Sequence, residues 1–371
     1  MFKNYRFRDY DFRLVIMLIT ITVIGILAVG SAEPSLKNKQ IIGFVGGFIL
    51  MVVISFFDYH KILKFWWVLY IINIILLLLV LILGYESGGA QRWLDLKVIR
   101  FQPSESAKII LILFFAQFIM KFKDKINDFR FILVSILLAA APLFMILKQP
   151  DLSTTIVLLV VILSAAFVGE IALKYVFAFL GITIPSIVVL FILILQPEYE
   201  IIEKYQRIRI LAWLHPEEYE LQEAFQQLNS IMAIGSGQLT GKGLNNNVVN
   251  SVKNGNFISE PQTDFIFTII GEELGFIGAC SVVILLIGIT IECLIIAYKS
   301  KDLAGRIIAA CMGTLIGTQS IINICVTTGL FPNTGLPLPF VSAGLTSLLS
   351  LYAGMGFVLN IRLQCTRKYN N

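Results

Sequence analysis

A chain of 371 residues that is 57% hydrophobic, 14% charged and of mean hydropathy +0.84 falls outside the composition of soluble globular proteins. Its net charge of +5 is spread over segments that flank apolar runs, which argues for lipid contact and orientation and against nucleic acid. The five cysteines form no C-x-x-C pair and four lie in apolar runs, so core packing is a better reading of them than metal or disulfide.

Residues 1 to 13 are basic, and the apolar run behind them lacks a small-residue cleavage site before Pro34, so the first helix is expected to stay in the membrane. Apolar windows near the ~20 residues of a helical span fall at about 14–32, 40–57, 65–84, 107–120, 131–147, 154–169, 175–196, 264–298, 307–328 and 341–361. This predicts an all-α polytopic membrane protein with about ten transmembrane helices. The chain reads as one integral membrane domain, 1–371, with a long structured outer loop at about 197–263. With the N-terminus inside, short inner loops hold 17 Lys and Arg, among them Lys61, Lys64, Lys121, Lys123, Lys125 and Lys174, against 7 in short outer loops. The positive-inside rule then places both termini in the cytoplasm.

The outer side carries the polar residues. Between spans three and four, Trp93 and Phe101 interleave with Arg92, Lys97 and Arg100, a pattern that suits a segment lying in the headgroup layer, rings down and cations up. The segment reads either as an interfacial anchor or as a surface for a lipid diphosphate, which guanidinium groups fit well. Glu105 and Lys108 are three apart and can pair on one helical face. Asp151 stands where a helix N-cap is expected, with Ser153 and Thr154 beside it.

The loop after span seven is far longer than an ordinary connection. Arg207 and Arg209 sit among apolar residues, and Leu221, Phe225, Leu228 and Met232 recur at helical spacing, so two amphipathic helices are expected. The run I-G-S-G-Q-L-T-G-K-G contains Lys242; it reads as a flexible turn or as a backbone cradle for diphosphate, its spacing being wrong for a Walker motif. At residues 256 to 277 a polar run meets the eighth apolar stretch. Asp264 opens that stretch and Glu272 and Glu273 follow two turns later, so three carboxylates are expected close together at the outer boundary, where burying charge is costly. Asp264 also reads as a helix cap. The stretch of about 35 residues overshoots a ~30 Å hydrocarbon layer and must protrude, tilt or break, with Gly271, Gly275 and Gly278 available for a bend. Pro332, Pro337 and Pro339 then make the last outer connection a rigid turn.

Seven short motifs occur in order on this frame: G-A-Q-R-W (89–93), F-Q-P-S-E (101–105), Q-P-D-L-S-T (149–154), Y-Q-R-I-R (205–209), A-I-G-S-G with G-K-G (233–243), T-D-F-I-F (263–267) and T-G-L-P-L-P-F-V-S (334–342). Together they resemble the SEDS family (shape, elongation, division and sporulation), most closely its elongation branch, over residues 10 to 362. Two departures stand out: S-A-G-L-T-S at 342–347, where the family usually reads S-Y-G-G-S-S, and A-F-Q at 224–226, where it often has G-Y-Q.

The resemblance implies a peptidoglycan glycosyltransferase that polymerises lipid II outside the bacterial cytoplasmic membrane, with a class B penicillin-binding protein as transpeptidase partner. It implies Asp264 as the catalytic carboxylate, with Trp93, Glu105, Lys108 and Asp151 in the same outer cavity. The chemistry asks for a base to take a proton from a sugar hydroxyl and for positive charge beside a departing diphosphate. Arg92, Arg100, Lys108, Arg207, Arg209 and Lys242 are the available cations. No organic cofactor is expected; a divalent cation, Mg or Mn, is a candidate assistant, although the sequence has no dedicated cage. A flippase for the same lipid is the alternative, and it is disfavoured because carriers place binding groups near the midplane.

Overall fold

The computed structural model describes residues 10–87, 90–95, 100–196, 204–219, 223–245, 251, 255 and 257–365. Lys97 and Leu221 lie outside these. Helices α1 (Phe12–Ala32), α2 (Pro34–Phe56), α4 (Trp66–Leu83), α5 (Pro103–Lys121), α6 (Phe129–Lys148), α11 (Ile266–Lys299), α12 (Leu303–Thr327) and α13 (Leu345–Cys365) are long and apolar enough to span a membrane. The apolar α7 (Leu152–Val168) and α8 (Leu173–Leu195) bring the apolar helices of the bundle to ten among the described residues, in line with the ten windows of the sequence. A short α3 (Tyr59–Leu63) precedes α4. Starts are set locally: Pro34 and Pro103 occupy first-turn positions, and Asp11, Asp58, Asp151 and Asp302 accept backbone N–H groups as caps.

Helices α5, α12 and α13 bury most of their surface and form the centre, whereas α2, α4 and α6 turn apolar side chains such as Ile42, Ile82 and Leu137 outward, as a hydrocarbon surround requires. The centre also carries polar groups that pair between helices, for example Thr22 with Tyr352 at 2.7 Å. An even number of crossings returns the chain to its starting side. The contact of Arg362 Nε with Asp11 Oδ2 at 3.6 Å accordingly brings the start of α1 and the end of α13 to one end of the bundle.

The other end holds the irregular structure. Residues expected to lie flat in the headgroup layer instead fold into a three-stranded antiparallel sheet, β1 (Tyr85–Ser87), β2 (Ala90–Asp95) and β3 (Arg100–Phe101), with Tyr85 opposite Trp93 and Leu94 opposite Phe101. Pairing satisfies backbone groups that a flat segment would leave to water. The long loop forms two helices as expected, α9 (Lys204–Leu214) and α10 (Glu223–Ser236). The buried face of α10 is not the apolar stripe: Phe225 and Met232 are exposed, and Ala224, Gln227, Ser230 and Ala233 point inward. Alanines allow close approach, and Gln227 and Ser230 donate to the carbonyls of Val326 (2.8 Å) and Thr327 (2.7 Å) in the last turn of α12.

Candidate active site

The α6–α7 turn is the first wall. Arg92 on β2 donates from Nε to Gln149 O at 3.2 Å and from its terminal nitrogen to Pro150 O, clamping the sheet to this turn. Asp151 caps α7 as expected: Oδ1 accepts from Thr154 N (3.1 Å) and Oδ2 from Thr154 Oγ1 (2.9 Å).

Beneath it, Lys108 is almost completely buried and bonds Glu105 Oε1 at 2.8 Å and Gln319 Oε1 at 3.1 Å. The other carboxylate oxygen of Glu105 is buried with no hydrogen-bond partner among the described residues. Gln319 Nε2 donates to Pro337 O (2.8 Å), and Asn323, one turn along α12, donates to Leu336 O (2.7 Å) and Asp264 O (2.8 Å). Ser342 Oγ adds a bond to Thr263 O at 2.6 Å. Both amides thus hold the proline turn, and Asn323 and Ser342 fasten that turn to the entry of α11.

Asp264 sits at that fastening. The N-cap of α11 is Phe265, which provides no side-chain cap, so Asp264 lies outside the helix and capping does not account for it. A β-carbon at Gly335 would stand 3.3 Å from its Oδ2, so the proline turn runs directly past the carboxylate. The half-buried carboxyl opens on a cavity of about 380 Å³. Removal from water pushes its pKa up to about 6; Arg209 and Arg92 pull it down, while Glu260 and Asp151 push it up.

The cavity brings together Arg92, Trp93, Glu105, Asp151, Arg209 and Asp264 from five separate parts of the chain. The remaining candidates stand elsewhere. Lys108 lies behind Glu105; Arg100 is exposed with its guanidinium 5.4 Å from the Tyr85 ring; Arg207 does not line the wall. Lys242 pairs with Glu272 at 2.8 Å, also away from it. Nor do the three carboxylates of the eighth stretch converge: Glu272 and Glu273 are buried against Lys242 and Ser31, about two turns, roughly 11 Å, along α11 from its start.

Sequence reasoning missed Glu260, Gln226, Asn333, Thr346 and Ser347 on the wall, and Gln319 and Asn323 behind it. The two amides carried a usable signal, since uncharged polar side chains inside an apolar span seek partners. Both sequence departures, at 342–347 and 224–226, contribute to the wall, through Ala343, Gly344, Thr346, Ser347 and Gln226. Among the described residues no group of three or more His, Cys, Asp or Glu converges to hold a metal. Asp151 spends both oxygens on Thr154 and Glu105 one on Lys108, so these carboxylates do not fit a protein-only cage for a divalent ion.

The sequence profile FTSW_RODA_SPOVE, described as "Cell cycle protein", matches residues 11–367. A probable peptidoglycan glycosyltransferase FtsW of Geobacter sulfurreducens is 32% identical over 372 residues, covering 95% of both chains. The peptidoglycan glycosyltransferase MrdB of Escherichia coli K12 is 33% identical over 357 residues, covering 95% of this chain and 93% of its own. A chain from the structure described as "Structural coordination of polymerization and crosslinking by a peptidoglycan synthase complex" superposes with a TM-score of 0.78 at 25% identity, covering 97% of this chain and 99% of that one. The rod shape determining protein RodA of Thermus thermophilus shares the fold, with a TM-score of 0.70 at 24% identity, covering 97% and 98%.

Proposed function

The chain belongs to the FtsW/RodA/SpoVE family of cell cycle proteins, and from that membership we propose that it is a peptidoglycan glycosyltransferase in which Asp264 is the general base. The single observation that carries the role of Asp264 is its place on a cavity wall shared with Arg92 and Arg209, where burial raises its pKa to about 6 against their pull. A base poised near neutral pH accepts a proton in the transition state and is largely ionised beforehand.

The substrate is lipid II. A hydroxyl of the incoming sugar attacks the anomeric carbon of a lipid-linked glycan; its proton passes to Asp264, the new C–O bond forms, and the old bond to the diphosphate breaks with the electron pair leaving on phosphate. Arg209 and Arg92 supply positive charge where that charge grows. The buried, unpartnered oxygen of Glu105 is an acceptor for a sugar hydroxyl or amide. Any divalent ion would have to bring ligands from the diphosphate, and no step above runs through it.

We assign the protein to the bacterial cytoplasmic membrane, with termini inside and the cavity outside. The 17 to 7 division of basic residues in short loops and the meeting of α1 and α13 at the end opposite the cavity support this sidedness. A class B penicillin-binding protein is the proposed partner. Purified chain, alone and with that partner, should convert labelled lipid II to glycan strands; no product in either mixture would remove the assignment. Asn245→Cys in a cysteine-free background should react with an impermeant thiol reagent on intact cells, and reaction only after lysis would invert the topology.

A further inference from the structure

The cavity absorbs Asp264 but leaves Lys242, Glu272, Glu273 and the glycine-rich run without a task. We propose that residues 237–243 are a clip that holds in place the first part of α11, the segment that Asp264 immediately precedes, and that Lys242, Glu272 and Glu273 are positioning residues rather than substrate ligands. This rests on the assignment of Asp264 as base.

Helix α11 is 34 residues long and breaks at Gly275, which has φ 65° and ψ −164°. The 24 residues beyond the break cover roughly 36 Å at helical rise, enough for the hydrocarbon layer, so the part before it projects toward the cavity. A break strips hydrogen-bond partners from the carbonyls before it and the N–H groups after it. The glycine-rich run supplies both. Lys242 N donates to Glu272 O and Gly243 N to Glu273 O, each at 3.0 Å, while Phe276 N donates to Gln238 O (2.8 Å) and Ile277 N to Leu239 O (3.2 Å). The amides of Lys242 and Gly243 are therefore committed to the helix, which removes the phosphate-cradle reading.

Bare backbone makes this approach possible. A β-carbon at Gly237 would lie 2.0 Å from Gly271 O, and one at Gly241, whose φ is +80°, would lie 2.1 Å from Glu273 O. Side chains close the clip: Lys242 Nζ bonds Glu272 Oε1 at 2.8 Å, Ser31 Oγ at the end of α1 donates to Glu273 Oε1 at 2.6 Å, and Asn245 N donates to Glu273 Oε2 at 3.3 Å. The run also continues α10, whose Gln226 lines the cavity. The half-helix behind Asp264 is consequently held to α1 and α10 by contacts that never reach substrate.

The test is steady-state polymerisation of lipid II by the purified full-length chain with its partner. Gly241→Ala should lower kcat on the order of 10–100-fold, the cost of misplacing a catalytic group by about 1 Å, with KM within about twofold of the parent. The acidic limb of its pH–rate profile should also move, because Asp264 shifts relative to Arg209 and Glu260. Gly235→Ala, where a β-carbon meets nothing within 4 Å, should behave as the parent. If Gly241→Ala fails to fold, Lys242→Met carries the test: kcat should fall with KM unchanged, and Lys242→Arg should restore it. Parental kcat in Gly241→Ala or in Lys242→Met overturns the clip, as does a raised KM with parental kcat in Lys242→Met. Asp264→Asn run alongside separates the two ideas: an active Asp264→Asn removes the base, whereas an inactive one beside a fully active Gly241→Ala removes the clip alone.

Discussion

The two ends of the bundle use similar residues to opposite effect. At the end where the termini meet, His60 bridges Asp58 (2.8 Å) and Asp302 (3.4 Å), Tyr59 donates to Asp302, and Gln364 donates to Asp58 at 3.0 Å. These carboxylates also cap α3 and α12, so their lone pairs are spent on holding α3, α12 and α13 together. At the cavity end, burial raises the proton affinity of Asp264, and Glu105 keeps one buried oxygen without a partner among the described residues. Closed polar networks fix a structure, whereas acceptors left open in a cleft wait for a ligand or a proton.

The sharpest way to break this contrast is Asp264→Asn. Loss of a general base should cost on the order of 10²–10⁴ in polymerisation rate. The variant should be no less stable than the parent at neutral pH, since a carboxyl held at about 6 burdens the folded state above that pH and does not below about 3.8. Near-parental glycan synthesis by folded protein would move the search to Glu105 and Asp151. In the parent, the rate should fall as pH drops through about 6 and Asp264 takes up its proton; a limb that stays flat down to pH 5 contradicts the base role.

Lys108→Met should act on the fold. It leaves the Glu105 carboxylate buried without its cation, a change that typically costs about 3–5 kcal/mol. Thermal unfolding in detergent should show the loss, and the double variant with Glu105→Gln should recover much of it; equal stability of single and double variants would dissolve the pair. Arg209→Gln should raise KM for lipid II by about tenfold, the loss of one charge-assisted contact of about 1.4 kcal/mol, while Arg207→Gln, off the cavity wall, should leave KM near the parent. Equal effects would return both arginines to a common anchoring role.

The smallest effect is expected at the closed end. The bond to Asp302 raises the pKa of His60 above its ordinary 6.5, against burial and with help from Asp58. The stabilisation it lends is complete below about 6.5 and fades as pH rises through the higher folded value. His60→Gln should flatten that part of the unfolding profile without changing the polymerisation rate per folded molecule. A rate that follows His60 would join the two ends after all.

Hydrophobic runs, proline positions and acidic caps determined the frame of apolar helices, the two helices of the long loop and the choice left to the overlong eighth stretch, to protrude, tilt or break, because length against bilayer thickness and local backbone preference are properties of the sequence alone. The packing chose the break and placed it at Gly275 rather than at Gly271 or Gly278. They also isolated Asp264, since a carboxylate beside an apolar run is costly wherever the chain goes. Side-chain direction was out of reach of that reasoning. The α10 face that packs is Ala224, Gln227, Ser230 and Ala233, because small side chains let α10 approach and its two polar ones reach carbonyls in the last turn of α12. Glu272 meets Lys242 and Glu273 meets Asn245 because a helix broken by one glycine needed partners for its freed backbone groups and the glycine-rich run came against it to supply them. Whether Asp264 capped a helix or faced a cavity depended on Asn323, Ser342 and Gly335, residues 59 to 78 positions away that only the packing of α12 and the proline turn could bring to it or to Thr263 beside it.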